Sequence, residues 1–582
     1  MTESGINSIL AADFGSVNTR ALLIDQVDGE YRLVGQATGR TTIGASADDA
    51  YTGLAAVLRT MSESTGRRFF DEAGHLIRPE QSDRIGVDYF LTTTSAGQPL
   101  RAVLIGLYPQ VSIAAARRAI APFYIDAVAK IHLEDGLGAK GRLNRIVHSR
   151  PQLIFIAGGT DGGARAVLLE MLALAREAVS LMPQSNRPAV VYAGNSSLAT
   201  SAREMLSQQA EVLIAPNIRQ GGGEALDPVQ AVLASYFDSV KRHSKSFQRI
   251  ASMSDSGMTP TSRGVETMTA FFARSLGKGV LTIDCGSART MLSLARNGTL
   301  QTAIRNDLGL GHSAAAALEQ IGEEEIARWL PFHPRRGELA QYTLNKGLRS
   351  SSVPLDMRER YIEYALLRAA IRQLRSEFGQ LDGGQVDLIL LAGATLTGSG
   401  IGALDMLLLA DALELDGAVE VKSDRFGLLP TLGTLASVAP KAVVQLINGE
   451  ALERVGSFIR VAGQAPAGAT AVKIKAKREN GEISEYEIVA GDVWHLPVPA
   501  GGAVDLRVRT RRGLSIGGKR RLRIQAQGGR GGVLIDARLD AQAGAKTMTE
   551  RAVNMLRWYA AVTGQEGPVA IPESWLATPE RT

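Results

Sequence analysis

Residues 9–25 read Ile-Leu-Ala-Ala-Asp-Phe-Gly-Ser-Val-Asn-Thr-Arg-Ala-Leu-Leu-Ile-Asp. This stretch predicts an apolar strand, a tight turn that begins at residues 13–16, and a second apolar strand through residues 21–24. Gly15 lets the turn backbone come close to a bound group, and the carboxylate of Asp13 lies where the first strand ends. A turn with one acid and small polar side chains suits a metal–phosphate ligand. The polar side chains are those of Ser16, Asn18 and Thr19.

The same motif occurs a second time. Residues 284–290 read Asp-Cys-Gly-Ser-Ala-Arg-Thr, so both stretches have the form D-x-G-S-x-x-T and both lie between apolar runs. A second match pairs residues 153–163 with residues 388–398, both of the form L-I-x-x-A-G-x-T-x-x-G, followed by helix-like runs. Chance similarity is the alternative, because Gly and Ala are abundant. Two matches in the same order predict two related α/β lobes, in which ligands bind beyond the carboxyl ends of parallel strands.

Composition places the chain among globular proteins. Its 582 residues predict roughly two to four domains, and no apolar run reaches the ~18–20 residues that span a bilayer. Residues 1–8 lack the features of a signal peptide, and one cysteine excludes a disulfide framework. The seven histidines show no metal-site spacing. We therefore expect a cytoplasmic protein without a membrane span.

Basic residues are concentrated in the C-terminal part of the chain. The net charge of +5 arises mainly from residues 451–582. Aromatic residues are scarce, which argues against nucleic-acid binding. We interpret the basic run as a solvated strand face, with a docking patch for a partner as the alternative. This run consists of Arg507, Arg509, Arg511, Arg512, Lys519, Arg520 and Arg521.

Several further stretches carry a resemblance to a known family over about residues 8–447. Two D-x-G turns and a late A-G-A-T turn resemble the actin/Hsp70/sugar-kinase (ASKHA) ATPase superfamily. Within it, the chain resembles the glutamate mutase MutL (GlmL) family, whose members are encoded beside adenosylcobalamin-dependent mutases and are thought to act like ATP-driven reactivating factors. Besides the stretches already quoted, the resemblance rests on Thr94–Gly97, Gly158–Gly163, Tyr192–Asn195, Asp307–Gly309 and Leu391–Thr395.

The resemblance implies ATP/ADP and Mg²⁺ as cofactors and assigns roles to particular residues. Asp13 and Asp284 would be the catalytic, metal-side acids, and Asp161 is the candidate for orienting the attacking water, with turn capping as the alternative. Gly393, Ala394 and Thr395 would contact the nucleoside. The remaining cofactor-binding candidates are Gly15, Ser16, Asn18, Thr19, Gly158, Gly159, Gly286, Ser287 and Thr290.

The second turn departs from the usual ATPase pattern. It carries Ala288-Arg289 where a small residue and Thr are more usual. Arg289 could pair with a phosphate, block the site or bind an acid elsewhere. ATP hydrolysis could therefore have been lost while the fold remains.

These observations predict an α/β protein with a two-lobed actin-like ATPase fold. We expect duplicated ribonuclease-H-like lobes over residues 1–263 and 264–449, and a small, basic β domain with a terminal helix over residues 450–582. We also predict one helix over residues 113–129 that Pro122 kinks or splits, and a loop between the lobes at residues 252–264. In the tail, alternation predicts a bulged hairpin that pairs Val472 with Ile488 and Lys473 with Glu487.

The leading functional hypothesis is a reactivating factor or chaperone for an adenosylcobalamin-dependent mutase or a similar protein client. The basic tail and the helix expected over residues 547–563 are candidate contacts with that client. The alternatives are a small-molecule kinase of the same fold, with Asp161 as the base, and a non-hydrolysing scaffold or filament-forming actin relative. A homo-oligomer stays possible.

Overall fold

A computed structural model of the chain divides into two compact units, which are Met1–Gln26 with Val34–Gly264, and Val27–Leu33 with Val265–Thr582. The residues it describes are 5–44, 48–81, 84–163, 165–220, 222–378, 381, 383–398, 400–448, 452–539, 547–564, 572 and 575.

The strands up to residue 260 are β1 (Ser8–Phe14), β2 (Asn18–Val27), β3 (Glu30–Arg40), β4 (Tyr89–Thr94), β5 (Leu100–Ile105), β6 (Ile125–Ile131), β7 (Leu153–Gly158), β8 (Ala189–Gly194), β9 (Val212–Ile214), β10 (Arg219–Gln220), β11 (Gly223–Glu224) and β12 (Met258–Pro260). The helices that begin in the same range are α1 (Ala50–Thr65), α2 (Ala114–Ile120), α3 (Ala139–His148), α4 (Ala166–Ser180), α5 (Ala199–Leu206), α6 (Leu226–His243), α7 (Gln248–Met253) and α8 (Thr261–Leu276). A π-helix spans Pro109–Ile113, and 3₁₀ turns span Gln184–Asn186 and Ser196–Leu198.

The later strands are β13 (Val280–Cys285), β14 (Thr290–Arg296), β15 (Thr299–Arg305), β16 (Leu388–Ala392), β17 (Gly417–Ser423), β18 (Glu453–Arg460), β19 (Ala462–Gly463), β20 (Thr470–Arg478), β21 (Ile483–Val489), β22 (Asp492–Leu496), β23 (Ala503–Thr510), β24 (Leu514–Ser515), β25 (Arg521–Gln527) and β26 (Gly532–Ala537). The later helices are α9 (Ala314–Ile321), α10 (Glu323–Ala327), α11 (Glu338–Leu348), α12 (Met357–Arg375), α13 (Ala394–Thr397), α14 (Gly402–Leu413), α15 (Leu429–Leu435), α16 (Pro440–Asn448) and α17 (Met548–Thr563), with 3₁₀ turns at Ser376–Phe378 and Gly383–Gln385.

The first sheet of the first unit has the order β12-β4-β1-β2-β3. Strands β1 and β2 form the predicted hairpin, while β4 pairs parallel with β1, and β12 pairs parallel with β4. The predicted loop at residues 252–264 is therefore wrong in part, because it contains β12 and the first turn of α8. The strand is only three residues long and carries one proline, so its composition reads as a loop.

The second sheet of the first unit has the order β6-β5-β7-β8-β9, and all of its pairings are parallel. Helices α2 and α6 cover one face of this sheet, and α3, α4 and α5 cover the other. This is the doubly wound, flavodoxin-like arrangement. The predicted helix over residues 113–129 is wrong beyond Ile120, since α2 ends there and β6 begins at Ile125. Pro122 ends the helix instead of kinking it.

The large sheet of the second unit has the order β15-β14-β13-β16-β17-β18-β26-β22. Its first five strands repeat the order of β3-β2-β1-β4-β12, with the same antiparallel meander and the same two parallel additions. The chain therefore has the predicted two-lobed, actin-like α/β fold with a duplicated core. The second sequence match is wrong as a structural equivalence, because the strand that corresponds to β16 is β4 and not β7.

The main C-terminal strands belong to two different sheets. Strands β18, β26 and β22 extend the large sheet, whereas the separate four-stranded sheet has the order β21-β20-β23-β25. The predicted hairpin register is confirmed, since Val472 lies opposite Ile488 and Lys473 lies opposite Glu487. Helix α17 begins at its cap Thr547, as predicted, and packs in the core of the large sheet.

Two pairs of consecutive helices in the second unit are separated by breaks. A glycine with φ +91°, Gly322, separates α9 from α10, and α16 begins at Pro440, which follows the end of α15. Within the described ranges, we find no helix that combines the length and apolar composition needed to cross a membrane.

Candidate functional site

Asp13 lies one residue before the end of β1, at the carboxyl edge of the first sheet, and is only 4% exposed. Its Oδ1 accepts hydrogen bonds from Thr93 Oγ1 at 2.7 Å and from Thr261 Oγ1 at 2.9 Å. These hydroxyls come from the strand beside β1 and from the first residue of α8. Among the described residues, no donor to Oδ2 is found. The carboxylate is therefore held in place through one oxygen and has the other available for a ligand.

The turn after Asp13 is closed by a hydrogen bond from Gly15 N to Asn18 O at 2.9 Å. A Cβ on Gly15 would lie 2.9 Å from that same oxygen, so this closure requires glycine. Thr41 Oγ1 donates to Gly15 O at 2.7 Å and lies 3.1 Å from Thr19 Oγ1. Thr19 is 1% exposed, so its hydroxyl is buried within the protein and stabilises the turn there. Ser16 and Asn18 are partly exposed at the tip, as expected for residues that contact a ligand.

The second turn has the same closure. Gly286 N donates to Arg289 O at 2.9 Å, and Asp284 lies one residue before the end of β13. Asp284 is register partner to Ala392, the last residue of the neighbouring parallel strand β16. The structure therefore brings Asp284 and Gly286 together with the glycine turn that follows β16.

That glycine turn packs directly on β13. Gly393 has φ +87°, and a Cβ there would overlap the carbonyl of Cys285. Ala394 is exposed and Thr395 is partly exposed, at the start of the short helix α13. These three residues lie beyond the carboxyl edge of the sheet, as predicted for residues that contact a nucleoside.

A second glycine-rich segment, residues 308–313, covers the Asp284 turn. Ser287 Oγ lies 3.0 Å from His312 Nδ1 and accepts a hydrogen bond from His312 N at 2.9 Å. Burial lowers the pKa of His312, which favours its neutral form at neutral pH. Thr290 Oγ1 donates to Leu308 O at 2.6 Å and is fully buried. Ser287 and Thr290 therefore have protein partners, as Thr19 has in the first turn, whereas no side-chain partner is found for Ser16 or Asn18 among the described residues.

Arg289, the residue that departs from the usual pattern, is 5% exposed. Its side chain is therefore largely shielded from solvent. Ala288, the other unusual residue, is 8% exposed.

Asp161 belongs to the other sheet of the first unit, where it follows β7. Its Oδ1 accepts hydrogen bonds from Ser196 N and from Asn217 Nδ2, both at 2.8 Å. The backbone N–H of Ser196, followed by the Asn217 amide, lowers the pKa of Asp161. A low pKa opposes general-base work near neutral pH. Gly158, the last residue of β7, and Gly159 precede it, so these three residues lie at the carboxyl edge of a different sheet from Asp13.

Some site residues were missed by sequence reasoning. Thr93 and Thr261 lie 80 and 248 residues from Asp13 in the sequence. The run Thr92-Thr93-Thr94 at the end of an apolar strand was a usable signal for Thr93, whereas Thr261 and His312 gave none. Within the described ranges, no group of three or more His, Cys, Asp or Glu side chains is arranged to hold a metal ion. Mg²⁺ is compatible with one carboxylate plus phosphate oxygens and water.

Fold and site together define a class of protein: a two-lobed, actin-like α/β protein with an Asp-x-Gly-Ser turn at the same place in each lobe. The chain belongs to the MutL family, since the family profile described as MutL protein matches residues 9–450. No curated protein sequence matches the chain.

Three solved structures illustrate the range of similar folds. The ATP-dependent caprolactamase from Pseudomonas jessenii is 13% identical, with a TM-score of 0.31 and coverage of 83% of this chain and 81% of that chain. Xylulose kinase from Bifidobacterium adolescentis is 12% identical, with a TM-score of 0.27 and coverage of 77% and 94%. Component A of the Acidaminococcus fermentans (R)-2-hydroxyglutaryl-CoA dehydratase is 10% identical, with a TM-score of 0.26 and coverage of 75% and 99%. The fold assignment rests on the strand order and not on these similarities.

Proposed function

We propose that this chain binds ATP or ADP with Mg²⁺ through the residues at the carboxyl edges of β1 and β13. The observation that carries the proposal is the repeated Asp-x-Gly-Ser turn, closed by the same 2.9 Å hydrogen bond at the same strand position in both halves. Membership of the MutL family supports it. Oδ2 of Asp13, to which no donor is found among the described residues, fits a metal–phosphate ligand. Gly15 and Gly393 keep their turns compact, because a Cβ at either residue would meet neighbouring backbone.

The proposed roles differ between the two turns. Asp13 binds Mg²⁺, directly or through water, while the Gly15 backbone and the side chains of Ser16 and Asn18 contact phosphate oxygens. Thr19 fixes the turn, because its buried hydroxyl lies next to Thr41. In the second half, the proposed ligand groups are Asp284, the Gly286 backbone, Gly393, Ala394 and Thr395. Ser287 and Thr290 support that turn through His312 and Leu308.

Nucleotide binding is tested by calorimetry with ATP and with ADP, in the presence and absence of Mg²⁺. We expect Asp13→Asn to abolish the Mg²⁺ dependence and Asp284→Asn to weaken binding at least about tenfold, since each removes a charged ligand group. Asp161→Asn is the control variant. Asp161 follows a strand of another sheet, so its replacement should leave ATP affinity unchanged. Absence of nucleotide binding by the wild-type chain would refute the proposal.

We further propose that the nucleotide cycle serves an adenosylcobalamin-dependent mutase as protein client. The support is membership of the MutL family. The test uses a glutamate mutase inactivated by turnover and holding damaged cobalamin, incubated with this chain, MgATP and fresh adenosylcobalamin. Recovery of mutase activity with the wild-type chain, but not with Asp13→Asn, is expected. Equal recovery without the chain would contradict the client assignment.

One observation favours a second candidate, a scaffold that binds nucleotide without hydrolysing it. The hydroxyls of Ser287 and Thr290 are already bonded within the protein, and Arg289 is buried. Phosphate release measured beside calorimetry separates the two candidates, because the scaffold binds ATP and releases no phosphate.

A further inference from the structure

The four-stranded sheet of the C-terminal segment has one buried face and one exposed face. Its buried face contributes Val472, Ile474 and Val508 to a hydrophobic core. The exposed face carries charged side chains at alternate positions, in rows that cross the sheet. One row reads Glu487, Lys473, Arg509, Arg521, and the next reads Glu485, Lys475, Arg507, Arg523.

In each row, the positive charge is balanced by a carboxylate only at the end formed by β20 and β21. Lys473 pairs with Glu487 at 2.5 Å, and Lys475 pairs with Glu485 at 3.0 Å. The four arginines at the other end are here called the arginine face, which consists of Arg507, Arg509, Arg521 and Arg523. Among the described residues, no ion pair or hydrogen bond engages any side chain of the arginine face.

Opposed arginines are unfavourable for the sheet itself. Arg507 lies directly opposite Arg523, and Arg509 lies directly opposite Arg521. Like charges that lie directly opposite each other in cross-strand pairs destabilise a sheet. The lysines of the neighbouring strand β20 are on the same exposed face and have glutamates opposite them. A solvated position on this face therefore does not by itself require a like charge on the opposite strand. An external anion would relieve the repulsion.

The geometry of the sheet specifies how such an anion would be presented. Strand β25 is the last strand of its sheet, with β23 on one side and no strand on the other among the described residues. An added strand would pair with this edge and place side chains i and i+2 about 4.5–5.5 Å from Arg521 and Arg523. Strand β21 provides the precedent, because its Glu485 and Glu487 lie in this way beside the two lysines of β20.

We propose that the arginine face and the edge of β25 form a docking site for an extended acidic segment of a protein partner, with Asp or Glu at alternate positions. Each carboxylate would accept hydrogen bonds from one guanidinium of β25, with β23 supplying the second row of charge. A cavity of about 490 Å³ adjoins the face and is lined in part by Lys477, Arg507 and Arg523, so two of the arginines are open to a bound group.

A protein strand fits this surface better than a nucleic acid does. The exposed face carries no aromatic side chain for base stacking, since Tyr486 and Trp494 pack against each other in the hydrophobic core. Asp505 borders the arginines on β23, and Glu485 and Glu487 lie at the far end of the two rows, beyond the lysines. These carboxylates would repel a phosphate backbone that continued across the sheet. The site does not depend on the proposed nucleotide binding.

The test uses the full chain and a short fluorescein-labelled peptide in which Glu alternates with Thr and Val, followed by fluorescence anisotropy at low and physiological salt. A peptide of the same composition with contiguous glutamates is the matched control. We expect the alternating peptide to bind at least about tenfold more tightly than its control, and salt to weaken both.

The variant Arg521→Glu with Arg523→Glu should lose at least about tenfold in peptide affinity. Its folding should be retained, because each new glutamate lies opposite an arginine of β23, so its melting temperature should equal or exceed that of wild type. The double variant Arg59→Glu with Arg203→Glu, on exposed helix positions, has the same change in net charge and should bind like wild type. Equal binding of both peptides, an equal loss in both double variants, or stronger binding of a single-stranded RNA that displaces the peptide would each overturn the proposal.

Discussion

Replacement of Asp411 by asparagine tests the buried charges that connect the C-terminal segment to the rest of the second unit. Asp411 Oδ2 accepts from Arg368 Nε at 2.6 Å, and its Oδ1 lies 2.6 Å from Arg538 Nη2. Arg538 also pairs with Asp536, and Arg368 donates to Tyr559 OH at 2.7 Å. The cluster joins α12 and α14 to β26 and α17, and each of its four charged side chains is at most 6% exposed.

The expected cost follows from charge balance. Two arginines and two aspartates cancel in the wild type, whereas Asp411→Asn leaves one buried positive charge without compensation. Breaking a buried pair in this way costs about 3–5 kcal/mol of unfolding free energy. The variant Arg368→Met with Asp411→Leu removes one charge of each sign and keeps the Arg538–Asp536 pair. It should therefore be less destabilised than Asp411→Asn alone.

Urea unfolding followed by tryptophan fluorescence is the suitable assay, because all four tryptophans lie in the second unit. Glu479→Gln, which neutralises an exposed turn carboxylate in the same segment, is the matched control. A loss below about 1 kcal/mol for Asp411→Asn, the size expected of a surface pair, would refute the reasoning.

Three further predictions concern single side chains. Burial lowers the pKa of Lys241 to about 8, so this side chain binds more protons in the unfolded state than in the folded state between about pH 8 and 10.5. Lys241 should therefore raise the free energy of unfolding by about 3 kcal/mol across that window. Burial raises the pKa values of Cys285 and Tyr192, which act in the opposite direction, so the measurement is the difference between wild type and Lys241→Met in a pH series of unfolding free energies, and the exposed control Lys245→Met should show no such difference. Gly393→Ala should cost about 1–3 kcal/mol of stability and weaken nucleotide binding, because its Cβ would overlap the Cys285 backbone at a positive φ; unchanged thermal unfolding and calorimetry would contradict it. Thr93→Val removes a hydrogen bond to the Asp13 carboxylate and should lower the free energy of unfolding by about 1.5–3 kcal/mol. Thr93→Ser keeps the hydroxyl, so it should retain both stability and Mg²⁺-dependent nucleotide affinity.

The tail hairpin could be predicted from sequence to the level of residue pairs. Its register is decided locally, since a slip by one residue would put Lys473 and Lys475 into the core. The same slip would separate both lysines from their glutamates. The alternation of apolar residues and the pairing of lysines with glutamates therefore predict the same register, and the structure confirms it.

The environment of Asp13 could be predicted only in part, because its partners are distant in sequence. The turn itself follows from residues 13–19, but the hydroxyls that fix the carboxylate come from β4 and from α8. The match between residues 153–163 and 388–398 failed for a related reason. Any buried parallel strand that enters a helix through a glycine turn has this local pattern, whichever sheet it joins.

The C-terminal segment lies outside the family match, which ends at residue 450, yet it belongs to the core of the second unit. Strand β18 pairs with β17, and β26 pairs with β18, so the large sheet continues from the Asp284 turn into this segment. Helix α14 is buried along its whole length, and part of its cover comes from the same segment. Removal of residues after 450 would expose a sheet edge and an apolar helix together. The arginine face is therefore carried by the same compact unit as one proposed nucleotide turn, and a partner bound there would contact the unit that carries this turn.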